Sequence, residues 1–117
     1  MKMNVKLLKS KIHRATVTLS GLNYIGSIGI DEDLMDAAKL FNYEKVHVFN
    51  INNGERFETY VIKEERGSGI IGVYGAAARK VAVGDLVIVA AYASMSPEEA
   101  QHFQPAIAIP DANNHLK

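Results

Sequence analysis

The chain has 117 residues, 48% of them hydrophobic and 22% charged, with lysine plus arginine equal to aspartate plus glutamate at 13 each and no cysteine. That length fits one domain, 1–117, with no room for a second core, and the composition excludes disorder and fibrous repeats. Zero net charge removes the basic excess that phosphate backbones attract, so no nucleic-acid partner is expected; the lack of cysteine excludes disulfides and thiolate chemistry and fits a reducing compartment.

At the N-terminus, Lys2, Lys6, Lys9 and Lys11 interrupt the apolar residues before a signal-peptide core can form, and no later apolar run reaches membrane-spanning length. A soluble cytoplasmic protein without a membrane partner is expected. Residues 13–19 alternate Ala15, Val17 and Leu19 against Arg14, Thr16 and Thr18, the pattern of a half-buried strand. Residues 24–30 read as another strand, interrupted at Ser27, with Gly26 and Gly29 marking a bulge or a close backbone approach. Asp31-Glu32-Asp33 supplies an N-cap and acidic first turn for a helix through Phe41, with Leu34, Met35, Ala38 and Phe41 on one face and Asn42 as its stop.

Strands over 45–51 and 56–62 form a hairpin around Asn52-Asn53-Gly54. A strand over 70–74, a helical turn at Ala76-Ala77-Ala78 and a turn at Val83-Gly84-Asp85 follow. They lead into a strand over 86–92 whose centre, Val87-Ile88-Val89-Ala90-Ala91, is apolar throughout and so buried on both faces. Ser96-Pro97-Glu98-Glu99 carries the cap, proline and acidic turn of a short helix, and 105–109 is a last strand before a polar tail. About seven strands and two short helices predict a mainly β fold, a small closed barrel, because closure removes exposed edges.

Gly26-Ser27 taken alone is an ordinary turn dipeptide. Its chemical alternative is an acyl shift: a strained Gly26 carbonyl, open because glycine has no Cβ, attacked by the hydroxyl of the next residue. The amide becomes an ester, which breaks far more easily. His13, His47, His102 and His115 are scattered, with no i, i+4 pair and no cysteine to join them, so no metal site is expected. Gly72-Val73-Tyr74-Gly75 lacks the spacing of a phosphate loop or a dinucleotide fingerprint. Arg56, Glu58, Tyr60 and Ile62 share one face of their strand, and Phe57, Thr59 and Val61 the other. Regular geometry sets Arg56 and Tyr60 roughly 13 Å apart, so for both to act on one small substrate the strand bends or neighbouring subunits share the site.

Together, Lys9-Ser10-Lys11-Ile12-His13-Arg14, Tyr24-Ile25-Gly26-Ser27-Ile28, Ile30-Asp31, Asn53-Gly54-Glu55-Arg56-Phe57-Glu58-Thr59-Tyr60, Gly75-Ala76-Ala77-Ala78 and Val83-Gly84-Asp85 occur in an order and spacing that resemble the bacterial aspartate 1-decarboxylases. The likeness runs from about residue 5 to residue 109. It implies a double-psi β-barrel assembled as a homotetramer, made as an inactive precursor. Self-cleavage between Gly26 and Ser27 would leave a β-chain of residues 1–26 and an α-chain of 27–117, Ser27 becoming a pyruvoyl cofactor, with Thr59 stabilising the oxyanion of the acyl shift.

The matured enzyme would form a Schiff base between the pyruvoyl ketone and L-aspartate, release CO2 and yield β-alanine for pantothenate biosynthesis. The resemblance gives Tyr60 the role of proton donor. It places Arg56 on a substrate carboxylate, Lys11 and His13 in the same pocket as sources of positive potential, and Gly75 and Ala76 at the pyruvoyl end. One position departs from the family. Tyr74 stands where an asparagine usually precedes Gly-Ala-Ala-Ala, and a phenol offers neither the size nor the paired donor and acceptor of an amide, which predicts slower or incomplete cleavage. Two other readings stay open: a silent binding barrel with Ser27 intact, and the same machinery acting on glutamate, whose carboxylate Arg56 would bind as well.

Overall fold

A computed structural model describes residues 3–117. Strand β1 (Val5–Thr16) is followed by β2 (Leu19–Gly21), β3 (Ser27–Asp31), helix α1 (Glu32–Ala38), β4 (Lys45–Asn50), β5 (Arg56–Glu64) and β6 (Ile71–Tyr74). A 3-10 turn (Gly75–Lys80), β7 (Leu86–Met95), α2 (Pro97–Ala100) and β8 (Ala106–Ala108) complete the chain. The eight strands form one sheet in the order β2-β6-β3-β5-β4-β7-β1-β8. β1 and β2 thus lie near opposite ends of that order although only Val17 and Thr18 separate them in sequence. The two ends are therefore brought together and the sheet wraps into a small β-barrel. Backbone bonds from Val17 N–H to the Asp85 carbonyl (2.9 Å) and from Thr18 N–H to the Ile71 carbonyl (2.8 Å) close the junction.

The strands alternate across the barrel wall, and the inward set is apolar. Ile12, Ile28, Ile30, Val46, Val48, Val61, Ile71, Val73, Val87 and Val89 are fully buried in one cluster. Leu34, Met35 and Ala38 of α1 join that cluster from outside the sheet. The hairpin β4–β5 forms as expected, antiparallel from Lys45↔Tyr60 to Phe49↔Arg56, with Gly54 at φ 77° in its turn. The cap of α2 is a full capping box between Ser96 and Glu99.

Four expectations are corrected. β1 begins at Val5 rather than residue 13, pairs with β7 through two register shifts, and carries Arg14 at φ 66° in the second; the step at 17–18 then leaves Leu19 46% exposed instead of inward. Residues 22–26 are not strand, and β3 starts at Ser27 itself. Helix α1 stops at Ala38, not Phe41, because Lys39 turns left-handed (φ 56°, ψ 43°) and donates to the Asp36 and Met35 carbonyls. Leu40 then goes inward and Phe41 stays outside under the Lys9 ammonium, 5.2 Å from its ring centroid. The polar tail is also structured: Asn114 is buried and bonds the Thr16 carbonyl (2.7 Å), the Thr16 N–H (2.8 Å) and the Gly69 carbonyl (2.9 Å).

Asp31 ties α1 to the 66–69 turn. It is 1% exposed and accepts from the N–H groups of Asp33 (2.8 Å), Gly67 (3.0 Å) and Gly69 (2.8 Å). Burial pushes its carboxyl upward, but the Gly69, Asp33 and Gly67 N–H bonds favour the ionised form more strongly, so it lies below the usual carboxylate range. A lowered folded value means stabilisation that is present above the ordinary carboxylate range and lost as pH falls through the folded value. Asp31→Ala strands three N–H groups and is expected to cost about 3 kcal/mol in urea unfolding at neutral pH. The gap from the unsubstituted chain should narrow below about pH 4.

Candidate active site

Ser27 sits where the chain passes from an open loop into a buried strand. Tyr24 is 70% and Ile25 85% exposed, whereas Ser27 is 4% exposed and the rest of β3 is buried. β3 lies between β6, antiparallel with Ser27↔Tyr74, and β5, parallel from Ile28↔Val61. Continuing the second register one residue back sets Tyr60 beside Ser27. The Ser27 hydroxyl donates to the Ile25 carbonyl at 3.5 Å, a distance that restrains the oxygen weakly.

The backbone before Ser27 is crowded from one side. Gly75, at φ 74°, is packed so closely that a Cβ there would stand 2.5 Å from Gly26 Cα, 2.9 Å from Gly26 N and 3.2 Å from the Tyr24 carbonyl oxygen. Only glycine fits both that conformation and that approach. Ala76 follows on the exposed side of the 3-10 turn. Gly26, Ser27, Tyr60, Gly75 and Ala76 therefore gather at one end of β3. Thr59 neighbours Tyr60 on β5 but faces the other side with Phe57 and Val61. The Tyr60 ring packs 6.5 Å from that of Tyr43, on the solvent side.

The remaining candidates lie elsewhere in the same chain. Arg56 is exposed at the start of β5 with its guanidinium 4.7 Å above the Phe49 ring. Since β4 and β5 keep an unbroken register from residue 56 to residue 60, the strand does not bulge and the separation of roughly 13 Å from Tyr60 stands. Lys11 pairs with Ala90 on β7, which pairs in turn with His47 on β4. Lys11 thus stands on β1, four strands from β3 one way along the sheet order and three the other way past the β1–β2 junction. His13 lies in the second bulge of β1 with its Nδ1 buried and unbonded among the described residues. Burial, then the charges of Lys11 and Arg14, hold its imidazole below the ordinary value, so at neutral pH it offers hydrogen bonds rather than charge. Among the described residues, no three histidine, aspartate or glutamate side chains converge as metal ligands.

Tyr74 does not lie on the Gly26–Ser27 bond. Its hydroxyl donates to Glu64 Oε2 at 2.9 Å, and its ring runs back along β6 to cover Gly72. Gly72 pairs with Gly29, so the phenol tip is two residues along β3 from Ser27. Burial, the Glu64 bond and the Glu64 charge push the phenol up to about 12, so it stays a donor. Gly29 is thus a place of close approach, not a bulge: a Cβ there would stand 2.8 Å from both Cγ and Cδ of Glu64. Sequence reasoning missed Glu64, and the paired strand glycines 29 and 72 were the signal that pointed to a side chain lying across them.

Known proteins are similar over nearly the whole chain. The family model described as aspartate decarboxylase matches residues 3–117. A protein named aspartate 1-decarboxylase from Cytophaga hutchinsonii is 61% identical over 114 residues, covering 97% of this chain and 99% of its own length. Proteins of the same name from Parabacteroides distasonis and Caldicellulosiruptor saccharolyticus are each 60% identical across 97% of this chain, with 99% and 89% of their own lengths covered. Among the described residues no helix is long and apolar enough to cross a membrane.

Proposed function

The chain belongs to the aspartate decarboxylase family, and on that footing we propose that it removes the α-carboxylate of L-aspartate as CO2 with a pyruvoyl group made from its own Ser27. The observation that carries this reading is the setting of Ser27, a buried hydroxyl directly after an exposed glycine whose backbone is pressed by Gly75. Attack by Ser27 Oγ on the Gly26 carbonyl turns the amide into an ester, and the donor to the oxyanion is assigned by the family resemblance to Thr59, which the β3–β5 register, extended two residues back, sets beside Gly26. Loss of the Ser27 α-proton then expels the Gly26 carboxylate by β-elimination. The chains 1–26 and 27–117 separate, and the new dehydroalanine takes up water and loses ammonia to become pyruvoyl.

The residues present fit such a group: a side chain at Gly26 would meet only the Tyr74 carbonyl, at 3.7 Å, and Ala76 is small and exposed. When formed, a pyruvoyl carbonyl supplies an electrophile for the substrate amine and a sink for the electrons of the departing carboxylate. Tyr60, beside position 27, returns the proton to carbon. Arg56 binds a substrate carboxylate through its planar fork, Lys11 adds charge, and neutral His13 adds a hydrogen bond.

Arg56 lies four residues before Tyr60 on β5, and Lys11 and His13 lie on β1. The pocket is completed by a neighbouring subunit of a homotetramer, for which the exposed Ile25, Phe41 and Tyr43 offer apolar contact area. The absence of cysteine agrees with a cytoplasmic enzyme feeding pantothenate synthesis. Incubation of the purified chain with L-aspartate and, separately, L-glutamate tests the reading: β-alanine and CO2 in equal amounts from aspartate support it. Release of CO2 from glutamate alone, or from neither, overturns it.

A further inference from the structure

We propose that Glu64, Tyr74 and Tyr24 form an anchor that holds residues 22–26 in the geometry from which Ser27 attacks, an inference that rests on self-cleavage at Gly26–Ser27. The anchor begins on two cross-strand glycines. Gly29 and Gly72 face each other on β3 and β6 and leave a trough without side chains, filled by the Glu64 carboxylate over Gly29 and the Tyr74 phenol over Gly72. The 2.9 Å bond between them joins a neutral donor to a charged acceptor, one of the stronger hydrogen bonds a protein makes.

Tyr74 then meets Tyr24 edge to face, with ring centroids 5.8 Å apart and planes at 74°. The Tyr24 ring is also pressed on Gly21, where a Cβ would stand 2.5 Å from its Cε2. Tyr24 is two residues from Gly26, and its carbonyl faces the Gly75 corner that already crowds Gly26. Glu64 on β5 is thereby connected through two rings to the peptide that must be attacked.

Packing alone does not set these rings. Leu19, Ser20, Tyr24 and Tyr74 line an open cavity of about 390 Å3, so a Tyr74 ring released from Glu64 has space to leave the trough and Tyr24 loses the edge it rests on. In this chain Tyr74 serves cleavage as a positioning residue, mechanically. A near-attack geometry is sensitive to small displacements, and loss of a charged hydrogen bond is a perturbation of about tenfold or more.

The test follows the loss of intact full-length chain by mass during incubation of freshly purified protein, with thermal unfolding as a check on folding. Tyr74→Phe and Glu64→Ala are each expected to slow cleavage roughly tenfold, and the double variant no further, because both break one bond. Glu64→Gln keeps an acceptor oxygen and should restore the rate to within about threefold. Tyr24→Leu, which leaves the Glu64 bond intact, should also slow it. Normal cleavage by folded Tyr74→Phe, or a double variant slowed by the product of the single effects, overturns the anchor. If the unsubstituted chain cleaves and all variants match it, only the anchor falls; if the unsubstituted chain does not cleave, the proposed function falls with it.

Discussion

Ser27→Ala is expected to remain one uncleaved chain and to release no CO2 from aspartate above the level without enzyme. The substitution removes a single oxygen, 4% exposed, whose bond to the Ile25 carbonyl is long and whose partner lies in an open loop. No buried group loses a partner, so stability should change by less than about 1 kcal/mol and the fold should persist. The chemistry has no such tolerance. Without Oγ there is no nucleophile for the Gly26 carbonyl, no ester to eliminate and no precursor for a ketone at position 27, so both cleavage and turnover vanish together. An electrophoretic time course with a coupled CO2 assay measures both, and turnover by an uncleaved Ser27→Ala chain would refute the role assigned to Ser27.

Tyr60→Phe separates the two stages. Among the described residues the Tyr60 hydroxyl makes no hydrogen bond, while its ring packs against Tyr43 in a way phenylalanine preserves. The variant should therefore fold and cleave like the unsubstituted chain. Turnover is a different matter, because the proton returned to carbon comes from this hydroxyl. General-acid contributions of this type amount to about 10²–10⁴-fold, and the loss should fall on kcat with KM little changed. A cleaved Tyr60→Phe enzyme turning over aspartate normally would remove Tyr60 from the proton-donor role; one that fails to cleave would move it into maturation.

Local signals in the sequence carried the hairpin at Asn53-Gly54 and the capping box at Ser96, because both are written in adjacent residues. The reach of β1 to Val5 was hidden by lysines: Lys6 is exposed, while Lys9 is half-buried with its ammonium held by Glu44 and the Lys39 carbonyl, so charge and strand coexist. The end of α1 was hidden as well, since Lys39 takes a left-handed conformation that glycine would have announced. The motif residues of the candidate site were legible from their resemblance. Their arrangement was not, because Tyr60 reaches Ser27 only through the parallel pairing of β3 with β5, which no nearby residue encodes. The same topology puts Arg56 at the start of β5 and Lys11 and His13 on β1. Tyr74 changed meaning most: its bulk is drawn along β6 to Glu64 rather than onto the Gly26–Ser27 bond, a contact between residues ten apart that belongs to the fold.

Intact mass of the purified, unsubstituted chain tests the central claim most directly. The account predicts two fragments, residues 1–26 and 27–117, the larger resistant to N-terminal sequencing and lighter by one ammonia than simple hydrolysis would leave it. A single folded chain that stays whole on prolonged incubation, or a larger fragment beginning with an ordinary serine, would contradict it.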